Sequence, residues 1–273
     1  MLRTLVRSSH PGPTVAVSLI AGALSWGAGL APWTIAVITI MILFNQLSVG
    51  LSNDWLDADR DIRVGRTDKP IAKGEISTTH VAVVAIACAA VSVGLSFLVG
   101  PLAALAHAVF LISGWAYNLG LKSTMASVVP YITGFGALPL VVTLSSDPPQ
   151  LAAWWAITAG ASLGVAAHFS NVVPDLVDDD ATGVRGVPHR AGASASAIVI
   201  AISLVAAALS ATLGPGEAPS IVAVIGVGAT LGLAGLSIIL VARRRISRLL
   251  FRLTIAAALI DVALLLFSAP QLV

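Results

Sequence analysis

Nine residues from Asn53 to Asp61, NDWLDADRD, hold an asparagine and four carboxylates directly behind the apolar run TIAVITIMILFNQLSVGLS. If the helix that this run predicts continues through Asp61, then Asp54, Asp57 and Asp61 stand at i, i+3 and i+7. At 3.6 residues per turn they share one face, with Gln46 and Asn53 close to the same stripe and Asp59 off it. A second segment, NVVPDLVDDDATGVRGVPHRAG from Asn171, repeats the order of asparagine, spaced aspartates, then Arg, Gly and Pro. There His168, Asn171, Asp175 and Asp178 or Asp179 follow in steps of three and four, with Pro174 expected to bend or end the helix. Carboxylates crowded on one face repel each other unless a cation sits between them. Such oxygen ligands suit Mg²⁺, which is completed by water and substrate phosphates. Arg63, Arg66, Lys69, Arg185 and Arg190, interleaved with the acids, supply donors for phosphate oxygens. The two segments thus read as halves of a pocket for a diphosphate held through Mg²⁺.

Two ordinary solvated loops, with acids balancing topogenic arginines, would show similar composition. Here, however, the acids begin inside the end of an apolar helix, twice. Ionisable groups at membrane depth are costly and usually mark function.

The elements that must position these groups are membrane helices. Of 273 residues, 57% are hydrophobic and only 10% charged, too little charge to cover a soluble domain of this length. A net charge of +2 gives no support to nucleic-acid binding, and the single cysteine, Cys88, excludes an intramolecular disulfide or a cysteine-built metal site. The basic start followed by an apolar stretch superficially resembles a signal peptide, but a retained first span explains the same pattern. Runs of roughly 20 apolar residues predict nine spans, near 13–31, 33–56, 79–99, 101–120, 125–144, 151–174, 192–213, 219–241 and 249–268. With the N-terminus inside, all fifteen Lys and Arg fall on the cytoplasmic side, as the positive-inside rule demands. Trp33, Trp154 and Trp155 open spans two and six on the outer side, where an aromatic belt is expected. The C-terminus then lies opposite the N-terminus and the acidic loops.

With these residues in place, the chain resembles the UbiA superfamily of intramembrane prenyltransferases. The family's first signature, NDxxDxxxD, is matched by Asn53, Asp54, Asp57 and Asp61, and its following basic segment by Arg66-Thr67-Asp68-Lys69-Pro70. Its second signature, DxxxD, is matched by Asp175 and Asp179, with Asp178 and Asp180 as extra acids. The nine-span topology agrees as well, so the likeness covers essentially the whole chain as one domain, 1–273. The resemblance implies an all-α integral membrane bundle of nine helices around a central cavity, capped by two acidic cytoplasmic loops. It implies Mg²⁺ bridging Asp54, Asp57, Asp61, Asp175 and Asp179 to an isoprenyl diphosphate, whose prenyl group is captured by a small acceptor. It also implies a Tyr and a Lys after span four, here Tyr117 as a cavity-wall aromatic and Lys122 as a diphosphate contact, one residue further apart than the family's YxxxK.

Other residues carry blander expectations. The cluster from Arg243 to Arg252 fixes orientation, Gly160 with Gly164 and Gly232 with Gly235 mark close helix contacts, and Asp261 pairs with a neighbouring helix. His107 packs as a buried polar residue, and His168 is a candidate for the cavity wall. The partners expected are the bilayer, a prenyl diphosphate and a small acceptor, with no obligatory protein partner. Two other functions use the same features. A terpene cyclase would employ the same aspartates and let the cation attack its own chain. A carrier would place ionisable groups near the midplane of several spans, which these spans lack apart from Asp261, His107 and the His168 region.

Overall fold

The computed structural model describes residues 2–63, 65–66, 69–173, 176, 185–243 and 248–273. Every regular element among them is helical. A short α1 (Leu2–Ser8) leads into α2 (Pro11–Gly27) and α3 (Pro32–Leu56), followed by a short α4 (Ala58–Arg63). Then come α5 (Thr78–Ser96), α6 (Pro101–Asn118), α7 (Val129–Thr143), α8 (Trp154–Val172), α9 (Val187–Leu213), α10 (Ile221–Ala242) and α11 (Arg248–Phe267). Among the described residues, then, nine helices reach 15 residues or more. Four stretches of the described residues combine the length and hydropathy needed to cross a bilayer: Pro32–Leu56, Thr78–Val99, Val187–Leu213 and Ile221–Ala242.

Local sequence sets where the helices begin. Proline stands at the first or second position of α2, α3, α6, α7 and α9, where its missing N–H costs nothing. Ser77 caps α5 by accepting from the His80 N–H at 3.3 Å, and Ser220 caps α10 by accepting from Ala223 at 3.1 Å. These ends agree with the predicted spans to within about five residues.

Three expectations about the helix ends need correction. The helix through Asp61 is not continuous: α3 ends at Leu56 and α4 begins at Ala58, with Asp57 between them. Asp57 keeps helical dihedrals, and its carbonyl accepts from Asp61 N–H at 2.9 Å, so the kink leaves the three carboxylates on one side. The segment before span seven is not all loop. α9 starts at Val187 and carries His189 and Arg190, with Gly192 interrupting it at φ 76°, a left-handed conformation that glycine accepts readily. Trp155 is not an interfacial residue, being 2% exposed in the core, whereas Trp33 and Trp154 are exposed.

Helices adjacent in sequence mostly pack against each other, α2 on α3, α6 on α7, α7 on α8 and α8 on α9, while α5 packs along α3. α11 touches α2 and completes the circuit. The largest buried cluster, including Leu24, Ile38, Met41, Ile42, Val141 and Val142, fills the half of the bundle remote from the aspartates. Small residues allow the tightest approaches. A Cβ on Gly160 would sit 2.5 Å from the Phe135 carbonyl oxygen, and one on Gly164 would strike the carbonyl of Tyr131. The pair expected at Gly232 and Gly235 makes no such approach, since a Cβ at either would meet nothing within 4 Å. Asp261 is buried and accepts from Thr230 Oγ1 at 2.7 Å, joining α10 to α11.

Candidate active site

The carboxylates predicted to share a stripe are buried together at the aspartate-bearing end of the bundle, while Asp59 is exposed. Asp54 is 2% exposed; its Oδ1 accepts from Lys69 Nζ and lies 3.3 Å from His10 Nε2. Asp57 Oδ1 accepts from Lys122 Nζ, and its Oδ2 accepts from Arg60 Nη2 at 3.1 Å. Asp61 lies 3.8 Å from Arg60 Nε. Each acid thus faces a cation from a buried position, a setting in which charge-assisted hydrogen bonds are strengthened. Burial pushes the Lys122 ammonium below its ordinary pKa, with Asp57 pulling the other way. Burial likewise pushes the Asp61 carboxyl above the ordinary carboxylate range, opposed by Lys69.

Asparagines fix the helices under this cluster. Asn53 Nδ2 reaches both Asp57 Oδ2 at 3.4 Å and Asn118 Oδ1 at 3.3 Å. Asn118 in turn donates to the Val49 carbonyl at 2.9 Å and to Ser52 Oγ at 2.8 Å, binding α6 to α3.

Below the charges opens a cavity of about 630 Å³. Asn53, Asp57, Asp61, Arg66, Lys69, Lys122 and Asn171 line its polar end. Tyr117 and Tyr131 form its wall, their rings meeting edge to face at 5.2 Å, with Asn171 Nδ2 donating to Tyr131 Oη at 3.4 Å. His168 does not line it. It is 1% exposed behind the wall, 4.9 Å from the Tyr131 ring and 5.7 Å from Tyr117, and held by Ser127 Oγ at 3.1 Å. His168 shares a face of α8 with the lining residue Asn171, but the rings of Tyr131 and Tyr117 pack over it.

Arg63 and Arg185 are exposed and outside the cavity lining, in contrast to Arg66. Asp175, Asp178 and Asp179 lie outside the described residues. Four contributors are not evident from the sequence. Arg60 looks there only like a topogenic charge, although its place three residues after Asp57 is a pairing distance on a helix. Asn118 adjoins Tyr117, and Tyr131 is one of only two tyrosines, a scarcity that could have drawn notice. His10, which lines the mouth and lies 3.1 Å from Lys69 Nζ, leaves no signal in the sequence.

The exposed position of Asp59 gives a direct test of the stripe. Asp59→Asn is expected to leave turnover within about twofold and the unfolding midpoint unchanged, as for most surface substitutions. A tenfold loss would mean that the wrong acids have been assigned to the site.

Comparison with known proteins gives a consistent picture. The model of the UbiA prenyltransferase family matches residues 14–266. Digeranylgeranylglyceryl phosphate synthase of Natronomonas pharaonis is 29% identical over 217 residues, 78% of this chain and 77% of that protein. 4-Hydroxybenzoate octaprenyltransferase of Herminiimonas arsenicoxydans is 27% identical over 190 residues, 66% of each chain. A UbiA homolog from Archaeoglobus fulgidus, solved bound to GPP and Mg²⁺, superposes with a TM-score of 0.74 at 14% identity, covering 98% of this chain and 99% of that one. The apo structure of a UbiA homolog from Aeropyrum pernix gives 0.69 at 15% identity, over 92% and 97% of the two chains.

Proposed function

We propose, for a chain that belongs to the UbiA prenyltransferase family, that Asp54, Asp57 and Asp61 with Asp175 and Asp179 hold the diphosphate of an isoprenyl donor through Mg²⁺. The prenyl group then passes to a small acceptor within the membrane. The observation that carries this reading is the Asp54 carboxylate. It is 2% exposed, its partners Lys69 and His10 line a largely apolar chamber, and its Oδ2 has no hydrogen-bond partner among the described residues. A buried carboxylate oxygen left unpaired is expensive, and a hard cation with oxygen preference is what would repay that cost. That oxygen suits Mg²⁺, with Asp175 and Asp179 proposed to complete a set that the described residues alone do not form; bound there, the ion would neutralise charge on the departing diphosphate as a Lewis acid.

The chain's own residues supply the rest. Lys69 and Lys122 are partly buried ammonium groups paired with Asp54 and Asp57, placed to share their protons with phosphate oxygens. Arg66 on the lining and Asn171 at the α8 end extend that donor set, with Asn53 orienting Asp57. Arg63 and Arg185, set outside the lining, are more distant contributors. Asp178 is retained as an additional ligand-side acid of the second segment. As the C1–O bond breaks, its electron pair leaves with the diphosphate and positive charge spreads over the allylic carbons. The faces of Tyr117 and Tyr131 suit that charge, and the apolar wall keeps water from it. The acceptor's lone pair or π electrons form the new bond to C1, and the acceptor gives up a proton.

Nine crossings, with the N-terminus and acidic segments cytoplasmic and the C-terminus opposite, would put this chemistry at the cytoplasmic interface. The charge asymmetry of the sequence supports that orientation. Purified protein given geranyl diphosphate, Mg²⁺ and a panel of aromatic and glyceryl phosphate acceptors is expected to yield a prenylated product by mass spectrometry. EDTA should stop the reaction and added Mg²⁺ restore it. No consumption of any donor from five to twenty carbons would sink the reading. Release of diphosphate with a terpene alcohol or hydrocarbon, no acceptor being present, would assign the cyclase activity instead.

A further inference from the structure

The cavity has a closed inner end. Its deepest lining side chain on α3 is Gln46, seven residues before Asn53, and on α6 it is Phe110, eight before Asn118. At about 1.5 Å per helical residue, that end lies about 10–12 Å below the asparagines that underlie the carboxylates. One turn deeper, Ile42 on α3, Ala106 on α6 and Leu138 on α7 are all buried in the packed core.

The floor is rigid for identifiable reasons. Phe110 and Phe135 meet edge to face with centroids 6.5 Å apart, and Phe135 stacks on Tyr131 at 6.1 Å. On the facing side Gln46 Nε2 donates to Asn45 Oδ1 at 3.2 Å, and Asn45 Nδ2 lies 3.2 Å from His107 Nε2. Asn45 and His107 are both 0% exposed. Parting α3 from α6 to admit a ligand would strand these buried polar groups, at the full cost of their desolvation.

An extended polyprenyl chain advances roughly 5 Å per isoprene unit, from four bonds of about 1.5 Å along a zigzag. With C1 of the donor at the level of Asn53 and Asn118, the depth to the floor matches two units. Resting on the prenyltransferase reading above, we infer that the Phe110–Phe135 pair, braced opposite by Gln46, is a length stop that selects short donors. Five- and ten-carbon diphosphates fit beneath the clamp; fifteen- and twenty-carbon chains must turn their ends out of the chamber and lose contact with its wall.

The test is a set of dissociation constants in the presence of Mg²⁺ for inorganic pyrophosphate and for geranyl, farnesyl and geranylgeranyl diphosphates. Wild-type protein is expected to bind the geranyl compound at least about tenfold more tightly than the geranylgeranyl compound, the scale on which apolar pockets discriminate. Phe110→Ala should shift that ratio toward the longer donors by about tenfold while leaving pyrophosphate binding unchanged. Phe110→Leu, a smaller change in the core, should shift it in the same direction and serves if the alanine variant does not fold. Equal affinity of wild type for geranyl and geranylgeranyl diphosphate, or an unaltered ratio in the leucine variant, would overturn the length stop while leaving the prenyltransferase reading intact. Absence of binding for pyrophosphate and for every prenyl diphosphate would overturn both.

Discussion

Asp57→Asn is expected to lower kcat/KM for the prenyl diphosphate by about 10²–10³-fold, the cost of removing one preorganised group aimed at developing charge. The substitution keeps side-chain volume and the Asn53 contact but removes the charge between Lys122 and Arg60. Lys122 is then left with a nearly buried ammonium group opposite a neutral amide; its side chain is 11% exposed. Breaking such a pair costs up to about 3 kcal/mol, so the unfolding midpoint should fall as well. The two effects can be separated. Combining Asp57→Asn with Lys122→Met removes the uncompensated charge and should recover most of the midpoint without recovering turnover. If the double variant regains activity along with stability, Asp57 serves the fold and not the chemistry.

Gly164→Val is expected to reduce turnover at least tenfold by a different route. A side chain there strikes the carbonyl oxygen of Tyr131 and would also lie 3.0 Å from Phe135 Cβ. The carbonyl belongs to helical backbone, so α7 must move as a unit. Tyr131 and Phe135 would be carried away from Tyr117 and from Phe110, their ring partners at 5.2 and 6.5 Å. Overpacking of this kind costs about 1–3 kcal/mol, and the wall facing the prenyl group would lose its alignment. Gly232→Ala supplies the contrast, because nothing lies within 4 Å of a Cβ there. It should leave turnover unchanged and be neutral or stabilising by up to about 1 kcal/mol, the helix propensity difference between the two residues. Equal behaviour of the two variants, by turnover and unfolding midpoint, would mean that the α7–α8 contact does not set the chamber wall.

The helical class and span positions were legible because apolar runs of membrane length, punctuated by Pro and Gly, leave little ambiguity. The carboxylate stripe was legible because a spacing of three and four survives even the kink at Asp57. Pairing across the bundle was not. Nothing in the local sequence of His10 or Asn118 tells which helix each will meet, and those partners are 44 and 65 residues away in the chain. Depth was equally hidden. His168 shares the predicted face of α8 with Asn171, yet only Asn171 reaches the cavity, because the Tyr131 ring of α7 packs over His168. Gly160 and Gly164 against Gly232 and Gly235 make the same point. The small-residue spacing is similar, but only the first pair faces a close partner.

The approach of α3 to the start of the chain also bears on how the protein is handled. Gly50 leaves room for the backbone of Ser9, and Ser9, His10, Pro13 and Thr14 all line the cavity. Arg7 further ties this segment to Glu75 at 3.0 Å. Trimming the first ten residues, or fusing a bulky tag close to them, would therefore alter the wall of the cavity itself. Affinity handles belong at the other end of the chain, and loss of activity in an N-terminal fusion would leave the role of the aspartates untouched.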